Sequence, residues 1–285
     1  GGDMSLRSMT ELLDTVEVGY AVIAFNFIGL DDLKGVMKAV ERNQTPVILQ
    51  VSQGAAAHLG LDYAAALARV AANASAVPVC LHLDHATSIE LILKAISSGF
   101  TSVMFDGSRL PFEQNLEMTA RVVEMAHDVG VSVEAELGNI GGKEDDPQGN
   151  GDGQVLVEPS QACEFVAATG IDALAPSVGT AHGLYKGTPD IRFDLISSLV
   201  ELIDVPLVLH GGSDIPDAVL QKAIRLGMRK VNVGTDLQVA HVQALREALA
   251  ETSGLPDMRK VHSRVIDAVC AMAESKICLG GIGRP

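Results

Sequence analysis

The stretch VPLVLHGGSDIPDAVLQKAIRLGMRKVNVG, residues 205–234, holds a β-branched run, a Gly-Gly-Ser turn, an amphipathic segment and a second short run. From Asp214 to Gly227 the apolar residues fall at three- and four-residue spacing, which predicts a helix with one buried face, and the glycine is a common helix stop. Strand, helix, strand within thirty residues is one β/α unit. Working outward, the same alternation recurs along the chain. The other runs are AVIAF from Ala21, PVILQVS from Pro46, PVCLHL from Pro78, TSVMF from Thr101, VSVEAEL from Val131 and IDALAPSV from Ile171. Helical patterns such as LDDLKGVMKAVERN from Leu30 and PFEQNLEMTARVVEMAHDVG from Pro111 fill the intervals.

Eight such units without a composition break predict a single-domain (β/α)8 TIM barrel over residues 4–285, since that fold takes about 250 residues. A doubly wound open sheet is the alternative. Against it, no G-x-G-x-x-G follows the first run, where a dinucleotide fold places its phosphate loop. The segment from Pro256 to Lys276 reads as an extra C-terminal helix that either seals the barrel or reaches a neighbouring subunit. GNIGGKEDDPQGNGDGQ, residues 138–154, is too long and too polar for an ordinary connection and is expected to be an active-site lid. Residues 1–3, which precede Met4, are expected to be an expression remnant.

Composition narrows the function. The chain of 285 residues is 47% hydrophobic and carries a formal charge of −15, so its surface repels phosphate backbones and anionic lipid, and no nucleic-acid partner is expected. Mean hydropathy is +0.26, yet no uncharged apolar stretch approaches the roughly 20 residues that span a bilayer, so no membrane partner is expected. Cys80, Cys163, Cys270 and Cys278 lack C-x-x-C spacing and are expected to be reduced thiols of a cytoplasmic protein.

In a parallel barrel the catalytic groups sit at the C-terminal ends of the strands. Here those ends carry Asn26, Ser52, Asp84 with His85, Asp106, Glu136, His182, His210, and Asn232 with Thr235. Strands commonly finish in polar residues, so no single position is decisive; three histidines and three carboxylates on one rim are harder to dismiss. A catalytic zinc takes three protein ligands and keeps one position open, and His85, His182 and His210 supply three imidazoles. His58, His127, His241 and His262 are read as ordinary surface or core histidines, and His82 as a residue behind the ligands. Asp84, expected on the other side of an extended chain from His85, is placed to exchange a proton with a metal-bound substrate. Asp106 and Glu136 either hold a second metal position or orient the histidines; the sequence leaves both open.

Small residues in GTAHG, HGGSD and NVGTD let backbone N–H groups approach an anion, and the seventh and eighth units of a barrel are a recurrent phosphate site. Lys186 offers a point charge for the same phosphate. A phosphorylated substrate is therefore expected.

These residues, taken in order, resemble the class II metal-dependent ketose-bisphosphate aldolases, of fructose- and tagatose-bisphosphate type. The likeness rests on VPVCLHLDHA (77–86), SVMFDGS (102–108), VEAELGNIGGKED (133–145), GTAHGLYKG (179–187), LVLHGGSDIP (207–216) and KVNVGTD (230–236). It implies that His85, His182 and His210 bind a catalytic Zn2+, that Asp84 is the proton donor, and that Asp106 and Glu136 match a second divalent or monovalent cation position. It implies that Glu144, on the 138–154 loop, moves a proton at the ketose. It further implies that Gly183, Gly211, Gly212, Ser213, Asn232, Gly234 and Thr235, with Asn26, Ser52 and Lys186 nearby, bind dihydroxyacetone phosphate, which adds to an aldehyde through a zinc-stabilised enediolate. Homodimers or homotetramers are implied as well.

The other aldolase chemistry needs a lysine imine, and the eight runs hold only Lys230, read as lying at the start of the eighth. Fructose-type members resemble N-x-D-T-D with a basic residue shortly after; here Gly234 replaces that aspartate and Gln238 stands in the basic position. Arg259, Lys260 and Arg264 are alternative cations for a second phosphate. Two rival functions stand beside the aldolase. A metal-dependent hydrolase on the same barrel is expected to carry H-x-H after the first strand, where this chain has Asn26. A non-catalytic phosphosugar-binding subunit fits poorly with an intact Asp84, Glu144 and histidine set.

Overall fold

The computed structural model describes residues 6–142, 154–185, 187, 189–251, 254 and 257–282. The lid expected at 138–154, with Glu144, and the expected phosphate partner Lys186 lie outside the described residues, apart from the ends of that loop.

Eight parallel strands close in sequence order: β1 (Val22–Asn26), β2 (Val47–Ser52), β3 (Val79–Ala86), β4 (Ser102–Phe105), β5 (Ser132–Leu137), β6 (Ala173–Pro176), β7 (Leu207–Leu209) and β8 (Met228–Val233). The seam joins β1 to β8, with Val22 opposite Lys230. Each expected run overlaps one of these strands, though β1 and β3 run on past theirs and β8 starts two residues earlier. The helices outside them are α1 (Met9–Leu13), α2 (Leu30–Asn43), α3 (Gln53–Leu59), α4 (Leu61–Ala74), α5 (Ile89–Ser98), α6 (Phe112–His127), α7 (Pro159–Thr169), α8 (Phe193–Leu202), α9 (Asp217–Leu226), α10 (Thr235–Ala250) and α11 (Met258–Gly280). Among the described residues no helix is long and apolar enough to cross a membrane.

The segment quoted first behaves as its spacing demands. In α9 Leu220, Ala223 and Ile224 are buried, and Gly227 follows with φ +127°, a conformation that a side chain rarely adopts. Burying these helix faces against the barrel is the main source of stability, at about 25 cal/mol per Å² of apolar surface. Near the N-terminus, Ser8 and Glu11 form a capping box on α1. This helix places Met9, Leu12 and Leu13 against Val22, Ala24, Ile48, Cys80, Ala173 and Val208, closing the barrel end opposite the strand C-termini. The periodicity did not predict α1.

The extra C-terminal helix, α11, packs on α2 and α10 of its own chain. The approach is close: a Cβ on Gly35 of α2 would lie 2.6 Å from Val269 Cγ1. Helix α11 thus fills the outer ring between the last and first units.

Two local readings are corrected. β8 begins at Met228, so Lys230 is its third residue and is fully buried inside the barrel, not at the strand's start. The chain at Asp84–His85 is not simply extended. The pairing of β3 with β4 slips between Leu83 and Ala86, and His85 has φ +51°. Such a bulge re-aims a side chain, and a left-handed non-glycine residue costs about 1–3 kcal/mol, a strain typical of functional sites.

Candidate active site

The bulge brings Asp84 and His85 to the same mouth of the barrel instead of to opposite faces. His85 Nε2 lies 3.1 Å from His182 Nε2 and 2.8 Å from His210 Nδ1. One nitrogen from each ring falls within 4.8 Å of the others, so the three predicted imidazoles meet at one point.

The outward nitrogens of two rings are held by carboxylates. Asp106 Oδ2 is 2.9 Å from His85 Nδ1, and Glu134 Oε1 is 2.6 Å from His210 Nε2. A carboxylate accepts, so each of these nitrogens carries the hydrogen and leaves a lone pair facing the cluster. The lone pairs of His85 and His210, 2.8 Å apart beside His182 Nε2, repel unless a cation lies among them. Four-coordinate zinc at 2.0–2.1 Å from each nitrogen sets them about 3.3 Å apart, near the spacing found. The donor set therefore fits a divalent metal.

The electrostatics agree. Burial pushes the pKa of His85 down, but Asp84, Asp106 and Glu136 outweigh it and hold that ring well above its ordinary value. Burial, with the charge on His85, drives His182 and His210 well below theirs. The carboxylates around His85 thus make the cluster a place that favours positive charge.

Asp106 touches the first of these rings directly. Its Oδ1 accepts from the Ser108 hydroxyl at 2.7 Å and its Oδ2 orients His85, bonds that outweigh burial and hold its pKa below the usual carboxylate range. Glu136 also lies near, with Oε2 3.7 Å from His85 Nδ1 and without a hydrogen-bond partner. Burial and the charge of Asp106 push its pKa up to about 8. His85, Asp106 and Glu136 form a second group of ligand geometry, but it draws on the same histidine ring as the first. These residues line a cleft of about 450 Å³ that also takes in Gln53, Arg109 and His182.

Asp84 is fully buried among amides. Asn26 Nδ2 donates to its Oδ2 at 2.9 Å, Gln50 Nε2 at 3.4 Å, and Asn232 Nδ2 donates to its Oδ1 at 3.3 Å. Two residues expected to hold substrate, Asn26 and Asn232, thus position the expected acid–base group. Ser52, a third, accepts from Ala55 N and caps α3.

The expected phosphate loops are braced against one another. Tyr185 Oη accepts from Ala181 N at 2.8 Å and donates to the Gly211 carbonyl at 3.1 Å. Gly211 has φ +66°, and a Cβ there would stand 2.2 Å from the Ala181 carbonyl oxygen. A Cβ on the neighbouring Gly212 would meet Val231 Cγ1 at 2.5 Å. Ser213 Oγ accepts from Asp236 N, and the Asp236 carboxylate pairs with Lys276 of α11 at 2.6 Å. Gly183 lies in the loop that carries His182, with φ +90°, and Gly234 and Thr235 begin α10. Two of the three alternative cations are engaged locally: Arg259 bonds Asp257 at 3.0 Å, and Arg264 bonds Glu251 at 2.6 Å.

Sequence reasoning missed Gln50, Glu134 and Lys230. Each is a polar or charged residue within a barrel strand and before its C-terminal end, and that position was the available signal. Of the histidines set aside, His127 pairs with Asp172 at 2.7 Å and His241 with Asp32 at 2.5 Å, while His262 pairs with Asp31. All three lie away from the cluster.

Fold and rim together define a (β/α)8 barrel with a candidate metal site at its catalytic face. The family model described as class-II fructose-bisphosphate aldolase matches residues 7–282, and the chain belongs to that family. It is an aldolase, a lyase of carbon–carbon bonds. It is 44% identical over 279 residues to the fructose-bisphosphate aldolase of Geobacillus stearothermophilus, a match covering 96% of both chains. The fructose-bisphosphate aldolase of Staphylococcus epidermidis is 43% identical over 280 residues, again covering 96% of each. The crystal structure of the YdjI aldolase from Escherichia coli K12 superposes with a TM-score of 0.85 at 32% identity, covering 98% of both chains.

Proposed function

We propose that this chain, acting over residues 4–285 as one catalytic unit, is a zinc-dependent aldolase. On this reading it reversibly cleaves a fructose- or tagatose-type ketose phosphate to dihydroxyacetone phosphate and an aldehyde. The observation that carries the proposal is the convergence of His85, His182 and His210 beside the buried carboxylate of Asp84. The three histidines would hold the zinc, with Asp106 and Glu136 available to a second cation. When bound, zinc supplies a Lewis acid that polarises the substrate carbonyl and stabilises negative charge next to it.

The remaining work falls to the chain. Asn26, Gln50 and Asn232 fix Asp84 by three hydrogen bonds from their amides, so the group keeps one orientation while its carboxylic acid form gives a proton to the alkoxide oxygen made with the new carbon–carbon bond, or its carboxylate takes that proton back on cleavage. Backbone N–H groups around Gly183, Gly211, Gly212, Ser213, Gly234 and Thr235 bind the phosphate, aided by the N-terminus of the sixteen-residue α10. Lys186 adds charge there, Ser52 lines the approach, and Glu144 moves the carbon-bound proton of the ketose. A homodimer or homotetramer in the cytoplasm completes the proposal.

Exchange of the dihydroxyacetone phosphate C–H proton with solvent deuterium, without any aldehyde, tests it. Zinc-loaded protein should exchange that proton and chelated protein should not. No exchange from loaded protein, or metal-dependent hydrolysis of the phosphosugar in its place, would reject it.

A further inference from the structure

Beneath the histidine cluster lies an ion pair that the proposed chemistry does not use. Glu134, the third residue of β5, and Lys230, the third of β8, are both fully buried, with Lys230 Nζ 2.7 Å from Glu134 Oε2. The two strands are not neighbours, so the pair spans the barrel interior. Removing two charges from water is costly, and apolar residues of similar volume often replace such a pair without loss of stability. Packing alone does not account for it.

The other carboxylate oxygen supplies the reason. Glu134 Oε1 lies 2.6 Å from His210 Nε2. Lys230 Nζ donates to Oε2 at 2.7 Å, and the carboxylate of this ion pair accepts at both oxygens. His210 Nε2 therefore carries the hydrogen, and Nδ1 presents its lone pair to the cluster 2.8 Å from His85 Nε2. Two other groups face this spot. Asn232 Nδ2 stands 3.2 Å from His210 Nε2, and His82 Nε2 stands 3.6 Å from Glu134 Oε2, with its Nδ1 on the Ser102 hydroxyl at 2.7 Å. The Asn232 amide donates to Asp84 Oδ1 and His82 does not reach His210, so Glu134, the nearest partner of His210 Nε2 at 2.6 Å and an acceptor, sets the tautomer.

We propose that Glu134 and Lys230 are positioning residues: the pair fixes His210 as the Nε2–H tautomer, aims its Nδ1 at the metal and thereby sets metal affinity. Asp106 does the same for His85 from the solvent side, but Glu134 does so from inside the barrel, where no water can substitute for it. The proposal rests on the reading of the three histidines as metal ligands.

The test is zinc affinity, measured by competition with a chromophoric chelator, on full-length protein shown by circular dichroism to be folded. The double variant Glu134→Leu with Lys230→Met removes both charges and the acceptor. It should bind zinc about 10- to 100-fold more weakly than wild type. Glu134→Gln with Lys230→Met keeps a neutral acceptor and should recover part of that loss. Nitrogen chemical shifts of the zinc-loaded wild type, with His210→Ala to assign the signal, should report an Nε2–H imidazole at His210. Wild-type affinity in the leucine–methionine variant, or an Nδ1–H imidazole at His210, overturns the proposal while the metal site stands. If the apolar variant does not fold, the glutamine variant and the nitrogen shifts decide. Wild-type protein that takes up no zinc overturns the metal reading, and this proposal with it.

Discussion

Asn26 Nδ2 donates a 2.9 Å hydrogen bond to Asp84 Oδ2, which ties the C-terminal end of β1 to the carboxylate on β3 across the barrel mouth. Gln50 Nε2 donates to Asn26 Oδ1 at 2.7 Å, so β1, β2 and β3 share one amide chain that ends on this carboxylate. Nothing in the apolar packing of the barrel requires it. The arrangement locks a single side chain next to His85, as a proton-transfer group requires, since reaction depends on a fixed geometry.

Replacing Asp84 with Ala should therefore lower turnover by about 10²–10⁴-fold, the usual contribution of general acid–base catalysis. Zinc content should not change, because Asp84 lies outside the set of converging nitrogens. Steady-state kinetics with metal analysis checks both. Near-normal turnover would show that the proton is handled elsewhere.

Gly211 should tolerate no side chain. With φ +66° and a Cβ position 2.2 Å from the Ala181 carbonyl oxygen, Gly211→Ala must displace the His182 loop or the turn after β7. A loss of at least about 1–3 kcal/mol of stability is expected, with a raised KM for the phosphorylated substrate. Urea melts and kinetics measure the two effects, and an unaffected KM would argue that this turn does not hold the phosphate.

Acid should destabilise the protein partly through His82. Burial, reinforced by the charge of Lys230, holds this ring well below its ordinary value of 6.5. The unfolded chain takes up a proton there near pH 6.5, which the folded chain refuses. Stability is thus full above that pH and falls as pH drops below it, by about 1.4 kcal/mol per unit for one such group. Urea midpoints at pH 7.5 and 5.5 should differ less in His82→Asn than in wild type, by about 1 kcal/mol in free energy. Equal differences would mean that His82 protonates without cost in the fold.

A chelator should abolish turnover, and zinc should restore it. Borohydride added with substrate should trap no covalent adduct, because Lys230 is the only lysine in the eight strands and its ammonium is paired with Glu134. Trapped adduct with full activity in chelator would replace the metal chemistry with an imine.

The barrel was legible because its signal is repeated: each β-branched run falls on a strand, and α9 buries the face its spacing marks. The rim histidines were legible because strand ends are where this fold keeps chemistry. Other features depend on contacts between distant segments. The five residues of α1 are too few for a period to show. The turn of His85 to φ +51° follows from a register slip against β4, which neither residue type announces. The roles of Asn26 and Asn232 emerged only when the barrel closed and brought both amides onto Asp84. Glu134 and Lys230 are 96 positions apart, and only folding shows that they share a bond.

The central claim is that one divalent ion sits among His85, His182 and His210. Anomalous diffraction at the zinc edge, from crystals of zinc-loaded protein, measures this directly. The account predicts a peak about 2.0–2.1 Å from Nε2 of His85, Nε2 of His182 and Nδ1 of His210. Zinc bound elsewhere, or no peak within reach of all three rings, would contradict it.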